Sequence, residues 1–294
     1  MSGRPGATAR QDDVTGAPTT GGSGFAGWCL DPGTIGFDLP FAEYVRISAQ
    51  AGCGWAEVPV GALRAGGPQR VRALLARHGL APGPFSCPWD GAPNGAVPDE
   101  LWRERVRRMP AVFQQIRAAG GSLVSAFFRG DRPGMAQLPV PVLAQRCALL
   151  ADLAGDAGLA VCVEVNDVAV LRDATQLLET ADRAPLGLLV DTFHMFRAGL
   201  GPQWIAALPP GSVRWVHVSG VPAGLTAPAE LPRTRPFDGG QALWPILSAL
   251  RTHGWSGPLS IEVLPAPAPE TDRLRYAVEL VRHAATGLAR HPAG

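Results

Sequence analysis

The chain has 294 residues, 46% of them hydrophobic and 17% charged, and its 26 basic side chains are all arginine. The absence of lysine excludes Schiff-base aldolases, pyridoxal-phosphate enzymes anchored through a lysine, and phosphate loops ending in Gly-Lys-Ser/Thr. A formal charge of +1 speaks against affinity drawn from many nucleic-acid phosphates, and no apolar run approaches the ~18 residues that cross a bilayer.

Residues 1–24 are Gly, Pro, Thr, Ser and Ala with scattered charge and no apolar core of a secretory signal. Such a segment buries too little surface to offset chain entropy, so it reads as a disordered tail before a single catalytic domain of residues 25–294. From there, short apolar runs alternate with longer amphipathic stretches. The runs are 24–30, 54–58, 81–87, 122–128, 159–165, 187–191, 213–218 and 258–264. Strands separated by helices predict a parallel sheet closed into a (β/α)8 TIM barrel, with an open doubly wound sheet as the competing α/β fold. Leu39-Pro40 opens a helix that runs to Ala51 and stops at Gly52, and Gly239 precedes another that ends near His253-Gly254. Cys29, Cys53, Cys87, Cys147 and Cys162 form an odd set without a Cys-x-x-Cys pair. They read as small core hydrophobes in a reducing cytoplasm, not as a zinc-thiolate site.

A barrel of this kind carries its chemistry at the C-terminal ends of its strands. Four late strands each end on a ligand-type residue: Val161-Cys-Val-Glu164, Leu188-Leu-Val-Asp191, Arg214-Trp-Val-His217 and Leu259-Ser-Ile-Glu262. A lone carboxylate in an apolar run would be costly to bury and is explained by pairing with an arginine. Four on neighbouring strand ends are better explained together, by one divalent cation that offsets the repulsion of Glu164, Asp191 and Glu262. Three oxygens and one nitrogen leave coordination positions open, which suits Mn²⁺, Mg²⁺ or Co²⁺ and also admits Zn²⁺. Adjacent oxygens of an α-hydroxy carbonyl compound could fill those positions. The two glutamates could then pass a proton on opposite faces of an enediolate.

These motifs, in this order, resemble the sugar phosphate isomerase/epimerase family with the xylose-isomerase-like barrel. The resemblance rests on Gly158-Leu-Ala-Val-Cys-Val-Glu164, Val190-Asp-Thr-Phe-His194, Val216-His-Val218, Gly257-Pro-Leu-Ser-Ile-Glu262 and Ala51-Gly-Cys-Gly-Trp-Ala-Glu57. It spans about residues 24–282. It implies that Glu164, Asp191, His217 and Glu262 bind one divalent metal ion and that Glu164 and Glu262 exchange the substrate proton. His194 would contact a substrate oxygen and take part in catalysis. Arg235, in Arg233-Thr-Arg-Pro-Phe-Asp-Gly-Gly240, would reach the substrate, with Arg233 as the neighbouring alternative. Glu57 is expected as an acid behind the metal ligands or in contact with the substrate, with a salt bridge at the barrel rim as the alternative. Trp28, Trp89 and Phe128, near strand ends, could wall the pocket, whereas Trp102, Trp204 and Trp244 look like helix-packing residues. The family's Asp after the strand-seven histidine is replaced here by Ser219-Gly220, a departure that bears on the substrate.

The expected function is a cytoplasmic, metal-dependent isomerase or epimerase of a small polyhydroxy carbonyl compound, with no nucleic-acid or membrane partner and with room for a homo-oligomer. A dehydratase of a cyclitol- or dehydroshikimate-like substrate would use the same enolate. A barrel kept only for binding would not need all four ligands. A three-zinc endonuclease would need histidines on early strands and an Asp-x-His pair after strand seven, and Asp238-Gly239-Gly240 lacks the second histidine.

Overall fold

The computed structural model describes residues 24–86, 97–128, 138–166, 171, 173–182, 186–222, 233–239, 243–268 and 271–291. Residues 1–23, read from sequence as a tail, lie outside them, as do Cys87 and Trp89.

Eight strands form one all-parallel sheet. They are β1 (Trp28–Leu30), β2 (Trp55–Pro59), β3 (Ala81–Ser86), β4 (Leu123–Phe128), β5 (Ala160–Val165), β6 (Leu186–Asp191), β7 (Val213–Val218) and β8 (Leu259–Ile261). The order β1-β8-β7-β6-β5-β4-β3-β2 leaves only β1 and β2 unladdered. The amide of Gly54 donates to the Trp28 carbonyl at 3.0 Å, and the Gly54 carbonyl accepts from Ala81 at 2.9 Å, which brings the two edges together. The chain is a (β/α)8 barrel.

Around the strands lie α1 (Pro32–Ile35), α2 (Phe41–Gln50), α3 (Val60–Arg77), α4 (Asp99–Ala118), α5 (Val140–Asp156), α6 (Ala174–Ala181), α7 (Thr192–Arg197), α8 (Pro202–Ala206), α9 (Leu243–Thr252) and α10 (Arg273–Ala289). Helices on the outside and side chains on the inside bury both faces of each strand, so the strands are near-continuous apolar runs rather than alternating ones. All of β1 and β6 is buried. The described cysteines, Cys29, Cys53, Cys147 and Cys162, are buried and unpaired by disulfides, and burial pushes the Cys53 thiol up to about 12.

The first and last strands are shorter than their apolar runs. At the start, Gly24 and Gly27 hold φ of 76° and 145°, which is no strand conformation, and the Trp55 ring packs against Gly27 where a side chain would stand. At the end, the amide of Val263 leaves the ladder and donates to Thr34 Oγ1 at 3.0 Å. Glu262 thus sits one residue past β8, although its own amide still donates to the Val218 carbonyl at 3.1 Å. Helix α3 kinks at Gly67, where φ is 74°, before Pro68 restarts it. Among the described residues no helix is long and apolar enough to cross a membrane.

Two contacts tie this frame to the barrel mouth. Tyr44 on α2 donates its hydroxyl to the Leu30 carbonyl at 2.7 Å and accepts from the Glu57 amide at 3.0 Å, which ties the end of β1 to the middle of β2. Thr34 on α1 donates to the Ile261 carbonyl at 2.9 Å, which locks β8 to the loop after β1.

Candidate metal centre

Period-two alternation along a strand sends residues i and i+2 to the same face. Trp215 and His217 on β7, Ser260 on β8 and Glu262 just beyond it therefore point into the barrel. Register places Asp191 beside His217 and His217 beside Ser260. Glu164, Asp191, His217 and Glu262, from four successive strands, are all buried, and each offers one ligand atom within 4.8 Å of the others.

Asp191 has divided duties. Its Oδ1 accepts from the Phe193 amide at 2.8 Å, which caps α7, and its Oδ2 accepts from Arg233 Nη1 at 2.8 Å. The same Arg233 nitrogen lies 2.7 Å from Glu262 Oε2. Burial works against the Arg233 cation, but Asp191, Glu262 and Glu164 more than compensate and raise its pKa. Burial would raise Glu262 too, yet Arg233 and His217 hold it well below the usual carboxylate range. Glu164 goes the other way: burial and then the Glu262 charge push it well up. A buried carboxylate raised by its carboxylate neighbours is what a dication relieves, so this donor set fits a divalent metal ion.

His217 is held from both sides. Its Nε2 lies 2.9 Å from Glu57 Oε1 and its Nδ1 3.0 Å from Glu262 Oε2. Burial disfavours the imidazolium, but Glu57 and Glu262 together raise its pKa well above the ordinary histidine value. Glu57, 2% exposed, also accepts from Trp215 Nε1 at 3.0 Å and from the Ser260 hydroxyl, all on the single atom Oε1. The structure therefore places Glu57 beneath the four residues, inside the barrel and not at its rim. With Nε2–H committed to Glu57, Nδ1 is the nitrogen facing the cluster, the arrangement by which an outer carboxylate orients a metal-binding imidazole.

Glu57→Ala strands three buried donors, so we expect a loss of roughly 3 kcal/mol in stability and about 10–100-fold in divalent-ion affinity. Glu57→Gln keeps an acceptor oxygen and should lose less of both, as read by thermal melts and calorimetric titration.

His194, on α7, stands over the cluster with Nε2 at 3.4 Å from Asp191 Oδ2 and 3.6 Å from Glu164 Oε1. Its Nδ1 faces Arg197 Nη1 at 3.4 Å. A guanidinium can only donate, so Nδ1 accepts and the proton sits on Nε2, facing the site. Burial above all lowers its pKa to about 4, which leaves the ring neutral near pH 7.

Of the two neighbouring arginines, Arg233 enters the cluster. The side chain of Arg235 is 51% exposed and pairs with Asp238 at 2.7 Å. The chain turns at Arg235, whose carbonyl accepts from the Asp238 amide at 3.0 Å, and Phe237 in that turn has φ of 69°. Trp89 lies outside the described residues. Trp28 and Phe128 are buried in the core, and Phe128 packs against Trp102 with ring centroids 6.1 Å apart.

The structure adds Asp31, which groups with Glu57 and His217 within the same 4.8 Å limit. Burial, then Glu262 and Glu57, raise its pKa well above the carboxylate range, and its Oδ1 accepts from the Gly33 amide at 2.7 Å. Its sequence signal is Trp28-Cys-Leu-Asp31, an apolar run ending on a carboxylate like those of the later strands.

Comparison with known proteins gives a consistent picture. The family model described as xylose isomerase-like TIM barrel matches residues 45–284. A 3-dehydroshikimate dehydratase from Pseudomonas aeruginosa is 33% identical over 150 residues, covering 47% of this chain and 23% of the relative. Among solved structures, a xylose isomerase domain protein from Alicyclobacillus acidocaldarius superposes with a TM-score of 0.74 at 23% identity, covering 90% of this chain and 98% of that one. The IOLI protein with a bound zinc atom gives 0.71 at 16% identity, over 90% and 97% of the two chains. A D-allulose 3-epimerase from Methylomonas sp. in complex with D-allulose gives 0.63 at 16% identity, over 91% and 97%.

Proposed function

Since the chain belongs to the xylose isomerase-like TIM barrel family, we propose that it is a divalent-metal-dependent enzyme that moves the proton next to a carbonyl in a small polyhydroxy compound. The observation that carries this reading is the convergence of Glu164, Asp191, His217 and Glu262 within 4.8 Å in a buried site. A divalent ion held by these four would act as a Lewis acid toward the carbonyl and hydroxyl oxygens of the substrate.

The chain's own residues supply the proton steps. Glu164 lies one residue before the end of β5 and Glu262 follows β8, with β6 and β7 between them, so the two carboxylates approach from different sides of the mouth. One takes the α-proton and the other returns a proton, at the neighbouring carbon for an isomerase or on the opposite face for an epimerase. His194, neutral with its Nε2–H facing the site, donates to a substrate oxygen as negative charge grows there. Glu57 holds His217 in the tautomer that ligation requires. The isomerase or epimerase reading takes support from the architecture shared with the D-allulose 3-epimerase.

A dehydratase is the second reading, favoured by the 33% identity with the 3-dehydroshikimate dehydratase. It differs only in what leaves after the α-proton. A screen of polyhydroxy carbonyl compounds in deuterated water, with metal present, separates the two. The primary reading predicts a product of unchanged formula carrying one solvent deuterium, whereas a product lighter by one water selects the dehydratase. No deuterium uptake and no water loss across sugars, cyclitol ketones and dehydroshikimate-like acids would sink both.

A further inference from the structure

Arg233 bonds to carboxylate oxygens of two of the four residues that the metal reading assigns to the ion. Its Nη1 lies 2.8 Å from Asp191 Oδ2 and 2.7 Å from Glu262 Oε2, and its side chain is 6% exposed. Asp191 cannot offer its other oxygen freely, because Oδ1 caps α7 through the Phe193 amide. A divalent ion binds carboxylate oxygens at about 2.0–2.2 Å, inside the gap that Nη1 now spans. Two cations cannot share that position.

The backbone leaves little room for Arg233 to withdraw as a whole. Its amide donates to the Leu264 carbonyl at 3.0 Å, and Thr234 is paired with Gly220 by hydrogen bonds of 2.9 Å in both directions. The side chain, however, lies along a smooth surface: its guanidinium carbon sits 4.4 Å from the centroid of the Phe193 ring. A planar cation can slide over an aromatic face while keeping cation–π attraction.

We infer that Arg233 and the divalent ion exchange for Asp191 Oδ2 and Glu262 Oε2, with Arg233 bridging the two carboxylates before loading and moving aside along Phe193 as the ion enters. This rests on the metal reading above. Arg233 is a positioning residue here: it keeps two like charges together and sets how tightly the ion is held. The trade has two linked consequences. Removing Arg233 tightens ion binding, since the competitor and its like charge are both gone. It also weakens the protein before loading, since Asp191 and Glu262 lose their bridging cation.

The test is calorimetric titration of the full chain with Mn²⁺ alone, comparing wild type, Arg233→Gln and Arg235→Gln. The exposed Arg235 controls for the loss of one positive charge nearby. Arg233→Gln should bind Mn²⁺ about ten-fold tighter or more, and Arg235→Gln should stay within about two-fold of wild type because its charge is screened. Unchanged or weaker binding by Arg233→Gln, with wild type binding normally, overturns the exchange and leaves the metal centre standing. No binding by any of the three, with Zn²⁺ as well, overturns the metal reading and the exchange with it. If Arg233→Gln does not fold, the wild-type crystal structure with Mn²⁺ decides. The exchange requires Nη1 to be beyond hydrogen-bonding distance of at least one of the two oxygens, and its persistence on both contradicts it.

Discussion

Glu262→Gln is expected to abolish α-proton exchange and to lower kcat by about 10²–10⁴-fold, the usual contribution of a positioned acid–base group. Glutamine keeps the shape of the side chain and one carbonyl oxygen, so the barrel folds and His217 keeps a neighbour at Nδ1. What is lost is the ability to take a proton. Three other ligand residues remain, so the ion still binds, though more weakly. The measurement is deuterium washout from substrate together with metal content of the same sample. A variant that holds metal yet exchanges the α-proton at the wild-type rate would remove Glu262 from the proton-transfer role. Glu164→Gln serves as the companion: in a two-carboxylate mechanism one variant loses proton abstraction and the other loses proton return, so the two fail at different stages in single-turnover experiments.

Chelation is expected to have an equally large effect. Dialysis against a strong chelator should take activity to background, and adding back a divalent ion should restore it. A melt gives a readout independent of catalysis. An ion present at 100 times its Kd stabilises the folded state by about 2.7 kcal/mol, an upward shift of roughly 5–10 °C for a domain of this size. The shift should shrink markedly in Asp191→Ala, which loses one of the four ligand residues as well as the α7 cap. Full activity after exhaustive chelation would contradict the account, because nothing else in the site would supply the Lewis acid toward the substrate's carbonyl oxygen.

The barrel and its four ligand candidates were legible in the sequence for the same physical reason. Parallel strands buried on both faces are apolar, so Glu164, Asp191, His217 and Glu262 stand out against Val161-Cys-Val, Leu188-Leu-Val, Arg214-Trp-Val and Leu259-Ser-Ile. Asp31 carries the same pattern, but Pro32-Gly33 after it reads as a turn, which ends the apolar run at Leu30.

Glu57 was recognised as a candidate, but its surroundings were not. Its partners Trp215 and Ser260 are 158 and 203 residues away in the chain, and only closure of the sheet brings them to one oxygen. The sequence favoured Arg235, which directly precedes Pro236, over Arg233, and nothing local separates the reach of two arginines that flank one threonine. The difference lies in the turn through Phe237 and Asp238, which holds Arg235 at the surface while Arg233 reaches Asp191 and Glu262. Trp28 and Phe128 are candidate pocket walls because they lie near strand ends, yet both are buried in the core, Phe128 against Trp102 of α4.

An anomalous difference map from crystals soaked in Mn²⁺ tests the central claim most directly. The account predicts one strong peak bonded to carboxylate oxygens of Glu164, Asp191 and Glu262 and to Nδ1 of His217, with Nε2 still bonded to Glu57. Density lacking any peak between these four residues in fully soaked crystals, or a peak that leaves Asp191 and Glu262 uncoordinated, would contradict it.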